Sequence, residues 1–186
     1  MKAWFAIICI SILPVGTMAQ SEKSKTGILP HHAKVQFAGS IGFISVGAGY
    51  EFAKKKKLHV DFFYGYVPKK IGGINIHTIT GKLTWIPVSL QKGDFKVDLL
   101  TAGVLVNYAF GKQYRLSRES LIYYGFPTAV HVAVFAGGAL TKNKIGIYYE
   151  VGITDKELIT FASNLKGGIK FHEIVNIGIG ARIKLQ

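Results

Sequence analysis

Three residue types in this chain could together hydrolyse an acyl ester, because a serine nucleophile needs a histidine base and a carboxylate that orients the base. His131, Glu150 and Ser45 supply these types on three separate segments. Each falls on the polar phase of an alternating pattern, so a sheet that joins the segments would point all three to one side. The alternative is a hydrogen-bonded plug, since buried polar groups need partners whatever the function. We favour the plug.

Charged residues are sparse on this polar phase, which otherwise consists mainly of Gly, Ser and Thr. They are Glu51, Asp61, Lys82, Glu150, Arg182 and Lys184. The three acids balance the three bases, which favours ion pairs inside an enclosed space, where an unpaired charge is costly. We therefore expect these six residues to form an ionic plug in a polar lumen.

Alternation of polar and apolar residues predicts the elements that carry these side chains. In residues 78–85 every second residue is Thr or Lys, and the others are mostly apolar, as in a strand with two different faces. The same pattern starts near Ile41 and predicts strands at 44–52, 58–66, 78–85, 100–108, 130–137, 145–152 and 175–185. Residues 155–163 alternate less cleanly, and they are either a further strand or a short helix.

The composition of the two faces indicates which solvent meets each of them. A water-facing exterior would carry many Lys and Glu residues, whereas the polar phase here is small enough to fill a narrow interior. Aromatic residues on the apolar phase lie mostly near strand ends, as in the girdles of membrane barrels. The fold class predicted is all-β, a closed antiparallel up-and-down transmembrane β-barrel of about eight strands. A soluble lipocalin-like barrel is the alternative.

The N-terminal segment has the features of a secretory signal peptide. Lys2 precedes an apolar run, and small residues at 17 and 19 predict cleavage after Ala19. We expect a signal peptide at 1–19, a flexible lead-in at 20–33 and a single barrel domain at 34–186. The one cysteine, Cys9, lies in the signal segment, so the mature chain has no disulfide and no cysteine-based metal site. No metal site and no cofactor are predicted.

Three stretches carry a resemblance to a known group: 42–50 reads GFISVGAGY, 64–68 reads YGYVP and 178–182 reads GIGAR. They resemble strands of small, about eight-stranded outer-membrane barrels of Gram-negative bacteria, of the OmpX, OmpA-barrel and lipid A deacylase kind, including barrels from Bacteroidetes-type genomes. The resemblance implies insertion by the barrel-assembly machinery. The deacylases place a serine two residues after the catalytic histidine, and no His-x-Ser occurs here. Counting strands from Ile41 also places the long segment 111–127 on the periplasmic side, where this group has short turns. Either a strand is miscounted in 155–163, or the first crossing starts nearer Lys34.

Basic clusters in the predicted turns suggest the partners of such a barrel. The formal net charge is +13, and a secretory address argues against nucleic acid as its cause. The expected lipid-headgroup rim consists of Lys54, Lys55, Lys56, Lys57, Lys69 and Lys70. These residues would contact lipopolysaccharide or anionic phospholipid.

The function predicted is that of a porin-like but non-enzymatic outer-membrane barrel, a monomer with a structural or interaction role. A membrane enzyme that hydrolyses lipid A acyl esters and a narrow channel or small-solute transporter remain the alternatives.

Overall fold

The chain folds as a closed barrel of eight strands in the order β1 to β8, each antiparallel to its neighbours, with β8 pairing back onto β1. The structure is a computed structural model that describes residues 29–52, 57–110, 129–163 and 175–185. The strands are β1 His32–Ala38, β2 Ile44–Phe52, β3 Leu58–Val67, β4 Ile76–Lys92, β5 Phe95–Phe110, β6 Val130–Lys142, β7 Ile145–Thr154 and β8 Asn176–Lys184. The predicted fold class, a closed antiparallel barrel of about eight strands, is confirmed.

The predicted strands do not include β1, and β4, β5 and β6 extend beyond their predicted ends. The strand β1 begins at His32, two residues before the expected start of the barrel domain, and it pairs with both β2 and β8. The only large apolar residues on its outward face are Val35 and Phe37. Its inward face carries the long polar residues His32, Lys34 and Gln36. An alternation this short and this polar resembles a solvated lead-in.

Residues 155–163 form a helix, α2 Asp155–Ser163, so the second of the two sequence interpretations applies. Its start is a capping box, in which the Glu157 backbone N–H donates to Thr154 Oγ1 at 3.4 Å. In return, the Thr154 backbone N–H donates to Glu157 Oε2 at 2.9 Å. The sequence Thr-Asp-Lys-Glu carries this signal, because Thr and Glu three residues apart satisfy the first free N–H groups of a helix.

Because β1 is the first strand of the barrel, it determines which connections lie at the same end. We call the end where β1 begins and β8 finishes the turn end; it also holds the connections at 53–57, 93–94 and 143–144. The opposite, or loop, end holds the connection at 39–43, the short helix α1 Lys69–Gly72, the connection between β5 and β6, and α2. The connection that contains 111–127 therefore joins strands at the loop end, one strand crossing away from the end that the count from Ile41 gives.

The two faces of the wall have opposite character. Inward-facing residues of β4 such as Thr80 and Lys82 are buried, whereas their outward neighbours Ile79 and Leu83 are 49% and 41% exposed. The same alternation gives exposed apolar residues on every strand, among them Val35, Val46, Phe62, Val106, Val134, Ile147 and Ile179. An apolar surface that encircles a barrel is far larger than the patches tolerated on soluble proteins, so the wall is a lipid-facing transmembrane surface. Neither helix in the described part of the chain is long and apolar enough to cross a membrane.

Candidate functional site

The interior of the barrel is occupied by ion pairs, and glycines on the intervening strands allow these pairs to form. His32 on β1 and Asp61 on β3 flank Gly49 of β2, which is the register partner of both. His32 Nε2 lies 2.5 Å from Asp61 Oδ1, and Lys34 Nζ donates to Asp61 Oδ2 at 2.6 Å. A Cβ on Gly49 would lie 2.7 Å from His32 Nε2, so this bridge requires glycine at that position.

A second pair spans the barrel between strands that are not neighbours. Lys82 of β4 donates from Nζ to Glu150 Oε1 of β7. The ammonium group lies 4.5 Å from the centroid of the Phe135 ring and 5.5 Å from that of Phe63. The Tyr148 ring centroid lies at 5.6 Å. Rings at these distances attract a cation through their quadrupole, so the lysine is held by a carboxylate and three aromatic faces. The pair stands across the middle of the lumen.

A third cluster closes the interior near the turn end. Arg182 NH2 donates to Thr141 Oγ1 at 2.8 Å and lies 3.8 Å from Asp98 Oδ2. Lys96 Nζ is 3.0 Å from Asp98 Oδ1. Asp98 is 1% exposed, so both of its cationic neighbours compensate a charge that water does not reach.

Five of the six residues of the expected plug face the interior, and the sixth lies at the turn end. Glu51, Asp61, Lys82, Glu150 and Arg182 all lie on the inner side of the wall, and Lys184 lies half-buried at the turn end. Glu51 is 3.6 Å from His32 Nδ1 and 3.9 Å from His59 Nε2, measured from Oε1. Two interior cavities between these groups measure about 20 and 10 Å³, which is space for about one water each.

Sequence reasoning missed three interior groups, His32, Lys34 and Asp98, as members of the network. His32 and Lys34 are missed because the sequence predicts no strand before 44–52. Asp98 was missed because the ladder of β5 shifts register between Asp98 and Thr101, which returns both residues to the interior although they are three positions apart. A β-bulge of this kind breaks the period of two on which the prediction depends.

The three residues of the possible hydrolytic site each have a different partner. Glu150 binds Lys82, and Ser45 Oγ donates to the carbonyl oxygen of Ile41 at 3.4 Å. His131 Nδ1 lies 3.7 Å from Asp155 Oδ1 at the start of α2. The structure shows no hydrogen bond between any two of the three residues within its described part.

The basic residues expected to form one rim lie at opposite ends of the barrel. Lys57 is at the turn end, where its Nζ donates to the carbonyl oxygen of Pro87 at 3.1 Å. Lys69 and Lys70 are exposed on α1 at the loop end. Lys54, Lys55 and Lys56 lie outside the described residues. Among the residues that are described, no group of three or more His, Cys, Asp or Glu has the arrangement of a metal site.

Comparison with known proteins identifies no family for this chain. No family model matches, and no curated protein matches. A solved structure, that of the outer membrane enzyme PagL, is similar over 83% of this chain and 98% of the other, at 13% sequence identity and a TM-score of 0.45. Similarity at this level assigns neither family nor activity, so the functional argument depends on the geometry of this barrel.

Proposed function

We propose that this chain is a non-enzymatic outer-membrane barrel, present as a monomer, whose lumen is closed by its own ion pairs. The observation that carries the proposal is the pair Lys82–Glu150, which crosses the interior beside the rings of Phe63 and Phe135. A barrel of eight strands has an interior just wide enough for side chains to fill. The two cavities among these side chains measure about 20 and 10 Å³, which is much smaller than a small solute needs.

The proposed route to the membrane is export, cleavage of the signal peptide after Ala19 and insertion by the barrel-assembly machinery. In the orientation usual for such barrels, short turns face the periplasm and longer loops face outward. The turn end would then face the periplasm, and the loop end would face the lipopolysaccharide leaflet. The N-terminal residues that carry the signal lie outside the described part of the chain.

The closed lumen is tested by conductance in planar bilayers. Mature protein that migrates differently on SDS gels before and after boiling is folded, and only such protein is added to the membrane. We expect no voltage-dependent or ohmic current from the folded wild type. Current that rises in Lys82→Met and Glu150→Gln but is absent from the wild type supports the plug, whereas steady current from the wild type contradicts it.

Basic residues at the two ends are proposed to contact the anionic lipids of different leaflets. Lys69 and Lys70 at the loop end suit the phosphates of lipopolysaccharide, and Lys57 with the exposed Lys142 and Lys144 suits anionic phospholipid at the turn end. Each cation near a charged membrane surface contributes about 1 kcal/mol.

This division between the leaflets gives a testable expectation. In bilayers with lipopolysaccharide in the leaflet at the loop end, Lys69→Gln with Lys70→Gln lowers the temperature at which the compact gel form is lost. The matched variant Lys142→Gln with Lys144→Gln leaves that temperature unchanged, as do both variants in bilayers of zwitterionic lipid. Equal effects of the two variants in all bilayers would show that the lysines do not distinguish the leaflets.

A further inference from the structure

A cavity of about 450 Å³ opens at the loop end of the barrel and is separate from the interior ion pairs. Its inner part carries the polar residues Ser40, Thr78, Asn107, His131 and Asn176, and its outer part carries the apolar residues Phe43, Val67, Ile71, Ile76, Val175 and Ile177. The volume lies within the range of about 300 to 1,000 Å³ that is usual for small-molecule sites.

The connection between β1 and β2 separates this cavity from the lumen below. Asn107 Nδ2 donates to the Ser40 carbonyl oxygen at 2.8 Å, and Thr78 Oγ1 donates to that of Ile41 at 2.6 Å. These bonds hold the turn across the mouth. Ile41, which has no exposed surface, packs beneath it with Leu105 and Ala133. A layer of apolar side chains therefore forms a floor under the polar residues.

The side-chain oxygen of Asn107, which lines the cavity, lacks the partner that its burial demands. Asn107 is 5% exposed, and its Nδ2 donates to Ser40. Its Oδ1 accepts no hydrogen bond from any residue that the structure describes. A buried amide oxygen without a donor is unfavourable, and natural structures almost always satisfy such atoms. The missing partner is a hydrogen-bond donor.

The residue beside Asn107 adds a second polar group to the same wall. His131 is its register partner on β6, and it also lines the cavity. On the other side of its ring, Asp155 Oδ1 lies 3.7 Å from Nδ1. An acceptor and an imidazole thus stand next to each other below an apolar rim.

The geometry points to a binding site in this cavity for a small molecule that joins an apolar ring or chain to an N–H or O–H donor, such as an amide or an alcohol. The donor bonds Asn107 Oδ1, and the apolar part lies against Phe43, Ile71 and Ile76. Nothing in the proposed structural role requires such a site.

The test uses four probes of similar size: benzamide and benzyl alcohol, which have a donor, and acetophenone and toluene, which have none. Each is titrated into the folded protein in detergent micelles while the NMR signals of Asn107 and His131 are followed. We expect saturable shifts with the first two probes. The other two should bind about tenfold more weakly, because they offer no donor to Asn107 Oδ1; tenfold corresponds to about 1.4 kcal/mol.

Two variants separate the site from partition into the micelle. Ala109→Phe fills the cavity from a buried, lining position on β5, whereas Val106→Phe adds the same bulk on the outward face of that strand, where the residue is 50% exposed. Saturable binding is lost in Ala109→Phe and kept in Val106→Phe, with the folding of each checked on unboiled gels. Asn107→Leu removes the preference for donors, while Thr78 still bonds the turn through the Ile41 carbonyl oxygen.

The proposal is overturned if none of the four probes shifts these signals saturably. It is equally overturned if probes with and without a donor bind alike, or if Ala109→Phe binds as the wild type does.

Discussion

Gly49 shows how one residue without a side chain determines a contact between two others. His32 and Asp61 lie on strands separated by β2, and they meet only because Gly49 leaves the space between them open. The alternation of polar and apolar residues predicted that Asp61 faces inward. It could not predict the partner, because the pairing depends on the register of three strands and one of them was not recognised.

The pair Lys82–Glu150 gives a prediction at the residue scale. Lys82→Met leaves a carboxylate buried without its cation, and loss of one member of a buried pair costs about 3–5 kcal/mol. We expect the free energy of unfolding, measured by urea titration of folded protein in micelles, to fall by about this amount.

Adding Glu150→Leu to Lys82→Met should restore most of the loss, because an apolar replacement of both partners is often neutral. Lys69→Met, at an exposed position on α1, is the matched control and should leave stability unchanged. If the double variant were as unstable as the single one, the loss would come from packing and not from the unpaired charge.

Gly47 and Gly81 give a second prediction at the residue scale, because a Cβ added at these two positions would have different surroundings. A Cβ on Gly47 would lie 2.5 Å from the Phe63 ring and 2.6 Å from the Phe62 carbonyl oxygen, whereas one on Gly81 would have nothing nearer than 4.0 Å. Gly47→Val should destabilise the barrel by about 1–3 kcal/mol, the usual cost of overpacking. Gly81→Val should not, and urea titration in micelles compares the two; equal losses would contradict the inward position of Gly47.

At the scale of elements, the sequence predicts regular strands well, but it does not predict the faces of a strand that contains a β-bulge. The central parts of β2, β3, β4 and β7 keep the period of two, and there the sequence predicts the strand and its inward face. In β5 the shift between Asp98 and Thr101 breaks that period, so the buried carboxylate was not found. The periodicity of 155–163 is weak and fits either a strand or a helix, although the capping box of α2 is visible in the sequence.

The outward face of β5 gives the prediction that belongs to this scale. Val104 is 45% exposed and pairs with Leu83 and Val134, both of which also face outward. Val104→Arg should lower the stability in bilayers by about 2–4 kcal/mol, the cost of a cation on the lipid face near the midplane. The same change at Val88, beyond the last pairing of β3 with β4, should cost far less. Unfolding by urea in lipid vesicles measures both, and equal costs would place Val104 in water.

At the scale of the whole molecule, the composition of the two faces is enough to predict the architecture, but it does not predict the individual contacts. Glycine, serine and threonine on one face and aliphatic residues on the other require a narrow polar interior and an apolar exterior, whichever strands pair. The crossings had to be counted correctly to place the connection between β5 and β6, and the weakly patterned β1 changed that count by one. The loop-end cavity could not be predicted, because it arises from a turn bonded to two distant strands.

The central claim is that the apolar face contacts lipid, and collision accessibility of spin labels in bilayers tests it most directly. Cys9 is the only cysteine in the sequence, so mature chain cleaved after Ala19 can be labelled at single introduced cysteines without background. Labels at the outward positions Val104, Val106 and Val134 should collide strongly with oxygen, which concentrates in lipid, and weakly with a water-soluble nickel chelate. Strong collisions with the nickel chelate at these positions would mean that the apolar residues face water, and the membrane account would be wrong.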